Sequence, residues 1–206
     1  KVVLDIRGNG GGTDQCFTNI LKHIISEPVN QPYKVAFPKN DFIPSHFNFE
    51  PSDNIRVEEN LLLGGTPFYI YEVNKTIKPD STSIKFKGNI FVLQDEFIYS
   101  SSGNLSALAK TNSNIISIGN ITGKACGNQA SPVYFSLPNS KLMFRLEAML
   151  DFSSVTKIED IFHDEVTHYI PQTLEDYQRL IFSEKDIYDM EFLRENDPLF
   201  KMVIDY

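Results

Sequence analysis

The stretch KVVLDIRGNGGG, residues 1–12, decides the fold of this chain. Its first half is an apolar run rich in β-branched residues, as in a buried strand, and its second half is a glycine-rich turn. The next segment predicts an amphipathic helix, because Thr13 can cap it and apolar residues recur on one face as far as Ile25, before Pro28 closes it. Strand, glycine turn and helix in this order indicate a parallel α/β layer.

A second strand-helix-strand unit is predicted over residues 89–119. Residues 89–94 are an apolar run short enough for a buried strand, and a helix is expected from about Ser101 to Lys110. Residues 115–119 read as the next strand. Such a unit is right-handed and places its two strands in parallel in one sheet.

Between the two units lies a stretch of different character, residues 29–88. It contains six prolines and scattered aromatic residues, which predicts an irregular insertion into the α/β core. Within it, residues 67–73 and 83–86 are expected to form short strands, paired antiparallel.

The rest of the chain predicts a hairpin and a helical tail. Residues 133–137 and 142–146 are strand-like and are separated by a Pro-Asn-Ser turn. Residues 173–206 are expected to be helical, with Thr173 capping one helix and Asp197 opening another. We therefore expect one domain over residues 1–206.

Composition narrows the class of protein. A chain of 206 residues with 41% hydrophobic residues can bury a substantial core. The sequence contains no run of eighteen apolar residues, so a membrane span is not predicted. A net charge of -8 argues against a nucleic-acid surface. The two cysteines lack CxxC spacing, and no metal or cofactor motif is indicated. Because the chain starts inside a predicted strand, we expect it to be a piece of a longer protein with further domains upstream.

Two features of the sequence can carry chemistry, and each has a purely structural alternative. Ser100 lies where a loop enters a helix, so its hydroxyl can act as a nucleophile or simply as an N-cap. The run Gly8–Gly12 lacks the ending of a P-loop and the spacing of a dinucleotide-binding turn. It is either a tight turn or a place where backbone amides approach a substrate carbonyl.

Four segments in order resemble the signature blocks of the tail-specific, or C-terminal processing, family of serine peptidases, to which the tricorn core protease is related. These blocks are residues 4–12 (LDIRGNGGG), 97–105 (FIYSSSGNL), 119–124 (GNITGK) and 137–140 (LPNS). The resemblance covers residues 1 to about 175. It implies a ClpP- and crotonase-like α/β core, a polypeptide substrate, no cofactor and, by analogy with envelope peptidases, a location outside the cytoplasm.

The resemblance also implies roles for particular residues. Ser100 matches the nucleophile that forms an acyl-enzyme, and the amides of Ser101 and Gly11 match the oxyanion hole. For the general base, one branch of the family uses a lysine and a glutamine, best matched by Lys124 and Gln129. The tricorn-like branch takes a histidine from upstream of the glycine turn, and that residue would lie outside this chain.

Several departures from the family pattern and several alternatives to the serine peptidase interpretation remain. Gly103 and residues 164–168 depart from the family pattern, and His163 and His168 are expected to be structural rather than catalytic. Asp95 and Glu96 are expected only to solvate a loop. A non-catalytic domain that binds peptides or apolar ligands, and an acyl-CoA enzyme of crotonase-like shape, are the competing functions. The sequence does not fix the oligomeric state.

Overall fold

The computed structural model describes residues 1–40, 55–63, 65–121, 133–146, 149–151, 153 and 166–206, with backbone only for 55–63. The chain divides into two compact units. The first unit comprises Lys1–Val29, Ile77–Lys124 and Asp164–Tyr206, and the second comprises Asn30–Thr76 and Ala125–His163.

The first unit is built on a parallel sheet of four strands. Its order is β1-β5-β6-β10, and every pair that adjoins in this order runs in parallel. The strands are β1 Val2–Asp5, β5 Ile90–Gln94, β6 Ile115–Gly119 and β10 His168–Tyr169. The predicted α/β class with a parallel sheet is thus confirmed.

Helices cover both faces of this sheet. Side chains alternate along β5, so Ile90 and Val92 pack on one face while Phe91 and Leu93 pack on the other. The first face is covered by helices α1, Asp14–Ile24, and α2, Ser101–Ala107. The second face is covered by a C-terminal helix that contributes Leu199, Phe200 and Val203. Burial on both faces explains why β5 and β6 are continuous apolar runs.

The helices begin where the sequence predicted. Thr13 caps α1 by accepting a hydrogen bond from the Gln15 amide, and a 3₁₀ turn, Leu108–Lys110, extends α2 to the predicted end. Three helices follow in the tail: α3 Leu174–Ile181, α4 Met190–Asn196 and α5 Pro198–Asp205. Thr173 and Asp197 cap α3 and α5 as predicted. None of the described helices has both the length and the hydropathy that crossing a bilayer requires.

The predicted strand over residues 83–86 is wrong. The amides of Ile84 and Phe86 donate to the carbonyls of His23 and Ile24, at 2.9 and 2.8 Å. These are among the last carbonyls of α1, which have no partner inside the helix. The segment therefore completes the end of a helix, and among the described residues it forms a single β-bridge, between Phe86 and Ile25.

The second unit is more regular than its prolines suggested. Residues 29–77 contribute three long strands, β2 Val29–Pro38, β3 Ile55–Leu63 and β4 Thr66–Ile77. With the short β9, Leu150–Asp151, they form a sheet of order β3-β4-β2-β9. The described pairs of β9 are with Val35 and Ala36, so Pro32 does not interrupt that ladder. The predicted hairpin is confirmed as β7 Val133–Ser136 and β8 Met143–Leu146.

We expect Gly119→Ala to destabilise the first unit strongly. Gly119 ends β6 at φ +135°, and a Cβ there would collide with the backbone oxygen of Gln94 and lie 3.1 Å from Leu199 Cδ2. Strain and clash together are expected to cost about 2–4 kcal/mol of unfolding free energy, measurable by urea denaturation. Gly10→Ala, which meets no atom within 4 Å, is the control. Equal stability of the two variants would contradict this account.

Candidate active site

Parallel pairing brings the two signature loops to the same edge of the sheet. β1 pairs with β5 with Asp5 opposite Leu93, and the Ile6 amide continues the ladder by donating to the Leu93 carbonyl at 3.0 Å. The chain leaves both strands at their carboxyl ends, where parallel α/β sheets carry their sites. The glycine turn that follows β1 and the Ser100 segment that follows β5 therefore meet.

The Asp95 carboxylate fastens these two loops together. Asp95 is buried, and it accepts hydrogen bonds from the Gly8 amide, at 3.0 and 3.1 Å, and from the Phe97 amide at 3.0 Å. The prediction that Asp95 merely solvates a loop is wrong. Its partner Gly8 lies 87 positions away in the sequence. Local sequence patterns therefore could not predict this hydrogen bond.

Asn9 makes the second connection between the loops. Its carbonyl accepts a hydrogen bond from the Tyr99 amide at 3.2 Å. Its side-chain oxygen accepts two more, from the Gly11 amide at 2.9 Å and from the Ser102 hydroxyl at 2.8 Å. Asn9 thus holds the glycine turn against the first turn of α2. Sequence reasoning did not single it out.

Gly11 lies directly against the predicted nucleophile. A Cβ atom built on Gly11 would lie 2.7 Å from Ser100 Cβ and 2.9 Å from Ser101 N, and would overlap the Tyr99 carbonyl oxygen. Gly11 also has φ +94°, a backbone conformation that residues other than glycine rarely adopt. Two independent reasons therefore require glycine here, and the predicted neighbours Gly11, Ser100 and Ser101 are brought together.

Ser100 has a strained backbone. Its φ of 58° and ψ of -124° are unusual for a residue with a side chain, and such strain concentrates at functional sites. Its side chain makes no capping hydrogen bond to α2, so the N-cap interpretation of Ser100 is wrong. Ser100 is half-buried, and within the described part of the chain its hydroxyl has no hydrogen-bond partner.

The two amides predicted to form the oxyanion hole differ in whether they already donate a hydrogen bond. The Ser101 amide opens α2 and has no acceptor among the described residues, as expected for a first-turn N–H. The Gly11 amide is engaged by Asn9 Oδ1. The Ser101 amide is therefore already available to a ligand. The Gly11 amide becomes available only if a stronger acceptor displaces Asn9 Oδ1.

A cavity of about 190 Å³ opens beside these amides. Gly11 and Ser101 form part of its wall. The remaining wall is mostly apolar and includes Phe17, Ile20 and Leu105, and Cys16 also lines it. Ile20 is 47% exposed although it belongs to the apolar face predicted for α1. The exposed Ile20 side chain thus forms part of the cavity wall.

A second cluster of polar side chains forms around Glu96, which directly follows Asp95. Glu96 accepts hydrogen bonds from the Asn120 side chain at 2.9 Å and from the Tyr177 hydroxyl at 3.3 Å. Burial, followed by the negative charges of Glu96 and Asp95, raises the pKa of Tyr177 to about 12. Glu96 therefore binds specific side chains, and the prediction that it only solvates a loop is wrong.

Other predicted site residues are placed apart from Ser100 or are not described. Lys124, Gln129 and His163 lie outside the described residues. His168 is on β10, opposite Ile118, and its ring meets that of Tyr206 edge to face at 5.5 Å. That packing is consistent with the structural role predicted for His168.

Comparison with known proteins places this geometry in context. The family model of Peptidase family S41 matches residues 1–160. Among solved structures, mature CPAF complexed with lactacystin has a TM-score of 0.60 at 14% identity, covering 98% of this chain and 44% of that one. A candidate peptidase from Parabacteroides merdae ATCC 43184 has a TM-score of 0.58 at 18% identity, covering 86% and 47%.

These structural likenesses concern the fold alone, because the identities are low. The chain spans less than half the length of both proteins. No curated protein matches the chain. The family match, however, extends over most of the sequence and includes both loops of the candidate site. This chain belongs to Peptidase family S41.

Proposed function

We propose that this chain carries the nucleophile and the oxyanion hole of a serine endopeptidase. The observation that carries the proposal is the contact between Gly11 and the strained Ser100, with the Ser101 amide beside them. A serine nucleophile needs amide donors aimed at the developing oxyanion, and these two loops supply them at one place. Membership of Peptidase family S41 supports hydrolysis of a polypeptide.

The proposed reaction runs through an acyl-enzyme. Ser100 Oγ attacks the peptide carbonyl carbon as its proton passes to a general base, and the carbonyl oxygen becomes an oxyanion. The Ser101 amide binds the oxyanion, and Gly11 joins when the oxyanion replaces Asn9 Oδ1 as its acceptor. A charged oxygen is the stronger acceptor, so this exchange favours the transition state over the ground state. The base then protonates the departing amine, and water hydrolyses the ester.

Two sources of the general base belong to the proposal. Lys124, oriented by Gln129, is one, and it requires a pKa lowered by its surroundings so that a neutral amine is present. A histidine from outside this chain is the other. Among the described residues, no lysine or histidine forms a hydrogen bond with the Ser100 hydroxyl, so the base in this proposal is a residue outside them. No cofactor has a role in this proposal.

The first prediction concerns Ser100. A serine-directed phosphonate added to the full-length protein should form a one-to-one adduct, which peptide mapping by mass spectrometry places on Ser100. Ser100→Ala should abolish the adduct and reduce cleavage of a casein substrate at least about 10³-fold, as loss of a nucleophile does. Ser113→Ala removes an exposed hydroxyl and should change neither. An adduct on another residue would exclude Ser100 as the nucleophile.

The second prediction concerns the oxyanion hole. Gly11→Ala would push the turn away from Ser100 and Ser101, so we expect kcat to fall about 10²- to 10³-fold. Peptide binding, measured in the Ser100→Ala background, should change far less, because the lost interaction belongs to the transition state. Gly10→Ala is the matched control, since open space surrounds its added Cβ. Unchanged kcat in Gly11→Ala would contradict this role.

The third prediction concerns the cavity beside the amides. Its apolar wall fits an uncharged side chain on the residue whose carbonyl is attacked. Ile20→Arg places a charge at this wall, so kcat/KM for a substrate with leucine at that position should fall at least about tenfold. Asn19→Arg adds the same charge one position earlier, on an exposed residue outside the wall. If both variants lose activity equally, the cavity does not select the side chain.

A non-catalytic peptide-binding domain is the second candidate. The engagement of the Gly11 amide by Asn9 favours it, since the resting turn offers only one free oxyanion donor. On this alternative, Ser100→Ala would leave peptide affinity intact and change no cleavage rate. The phosphonate and casein measurements therefore separate the two candidates.

A further inference from the structure

A larger cavity, of about 470 Å³, lies on the other side of the glycine turn in the first unit. We call it the α3 cavity. Arg7 and Gly8 line it, whereas Asn9, Gly11 and Gly12 line the smaller cavity beside Ser101. Its wall also includes Asp5, Asp95, Gln172, Tyr177, Leu180 and Ile181.

Helix α3 leaves its apolar face unburied over this cavity. Tyr177, Leu180 and Ile181 share one side of the helix and line the cavity, yet no residue of α3 is buried, and Ile181 is 69% exposed. Short helices in proteins owe most of their stability to packing of the apolar face. An apolar occupant of the cavity would supply that packing.

Polar groups at the cavity lack hydrogen-bond partners among the described residues. Within that part of the chain, Gln172, just before α3, has neither an acceptor for Nε2 nor a donor for Oε1, and Arg7 Nη1 has no acceptor. All three atoms are shielded from solvent, where missing hydrogen bonds are costly. Since no described residue holds the Gln172 carboxamide by a hydrogen bond, a small side-chain rotation can present it to a ligand.

The charges around Arg7 exclude an acidic ligand. Arg7 pairs with Asp5 and with the buried Asp197, at 2.7 Å for the latter, and Asp95 lies in the same wall. Burial alone would lower the pKa of Arg7, but hydrogen bonding and charge from Asp5 and Asp197 raise it. Two carboxylates therefore pair with one guanidinium, and a third, that of Asp95, lies in the same wall. A free carboxylate or phosphate would meet net repulsion.

We propose that the α3 cavity binds an uncharged, apolar peptide segment. A peptide group offers the N–H and the C=O that Gln172 lacks. Apolar side chains of the segment would pack on Leu180 and Ile181. A fatty acid fits less well, because it has no N–H and carries a negative charge. This site does not depend on Ser100 as a nucleophile.

The test uses full-length protein with Ser100→Ala, so that cleavage cannot consume the ligand. The probe is acetyl-leucyl-leucinamide, titrated while the Gln172 side-chain amide and the Gly8 amide are observed by NMR. We expect saturable shifts of both signals. The corresponding acetyl-leucyl-leucine carboxylate should bind at least about tenfold more weakly.

Variants assign the binding to the cavity. Leu180→Trp fills the space and should abolish the shifts at Gly8, and Gln172→Leu should weaken binding about tenfold while leaving the fold intact. Gln178→Leu makes the same change at an exposed position of α3 and should have no effect.

Three results would overturn the proposal. They are the absence of saturable shifts, equal or tighter binding of the carboxylate, and full affinity in Gln172→Leu. A dimer of the full-length protein that Leu180→Trp dissociates in sedimentation experiments would instead identify a second copy of the chain as the occupant. Phosphonate labelling of Ser100 in the unmutated protein is a separate readout, so failure here leaves the proposed nucleophile untouched.

Discussion

The parallel pairing of β1 with β5 is the constraint on which the candidate site depends. Parallel strands end at the same edge, so the turn after Asp5 and the loop after Gln94 must meet although these ends lie 89 positions apart in the sequence. The observed register places Val2 opposite Ile90 and Asp5 opposite Leu93. Any slip would separate Gly11 from Ser100.

Hydrogen bonds then set the fine geometry of the loops. Asp95 accepts hydrogen bonds from the Gly8 and Phe97 amides. Asn9 accepts hydrogen bonds from the Tyr99 and Gly11 amides and from the Ser102 hydroxyl. These contacts hold Ser100 at its unfavourable φ, which an isolated loop would relax. Strain kept by a surrounding network is what a preorganised site requires.

The glycine turn separates two cavities with different chemistry. On the Ser101 side the wall combines amide donors with apolar side chains, which suits the reacting part of a substrate. On the Arg7 side it combines compensated charges, an incompletely packed helix and a carboxamide that no described residue binds. One short segment therefore contributes to both, and its backbone cannot move without altering each wall.

By itself, the sequence determined the local elements of the first unit and the order of its signature loops. Strands β1, β5 and β6 and the capped helices α1, α3 and α5 are encoded by apolar periodicity and by caps that lie within a few residues. Over residues 29–88 the same local rules found a strand only at residues 67–73, which lie within β4. The rest was missed because β2 to β4 depend on pairing partners distant in sequence. Only the tertiary structure decided that Asp95 and Asn9 hold the site together, because their hydrogen bonds cross about 90 positions of chain. Burial and long-range pairing arise from the fold as a whole, and no local pattern records them.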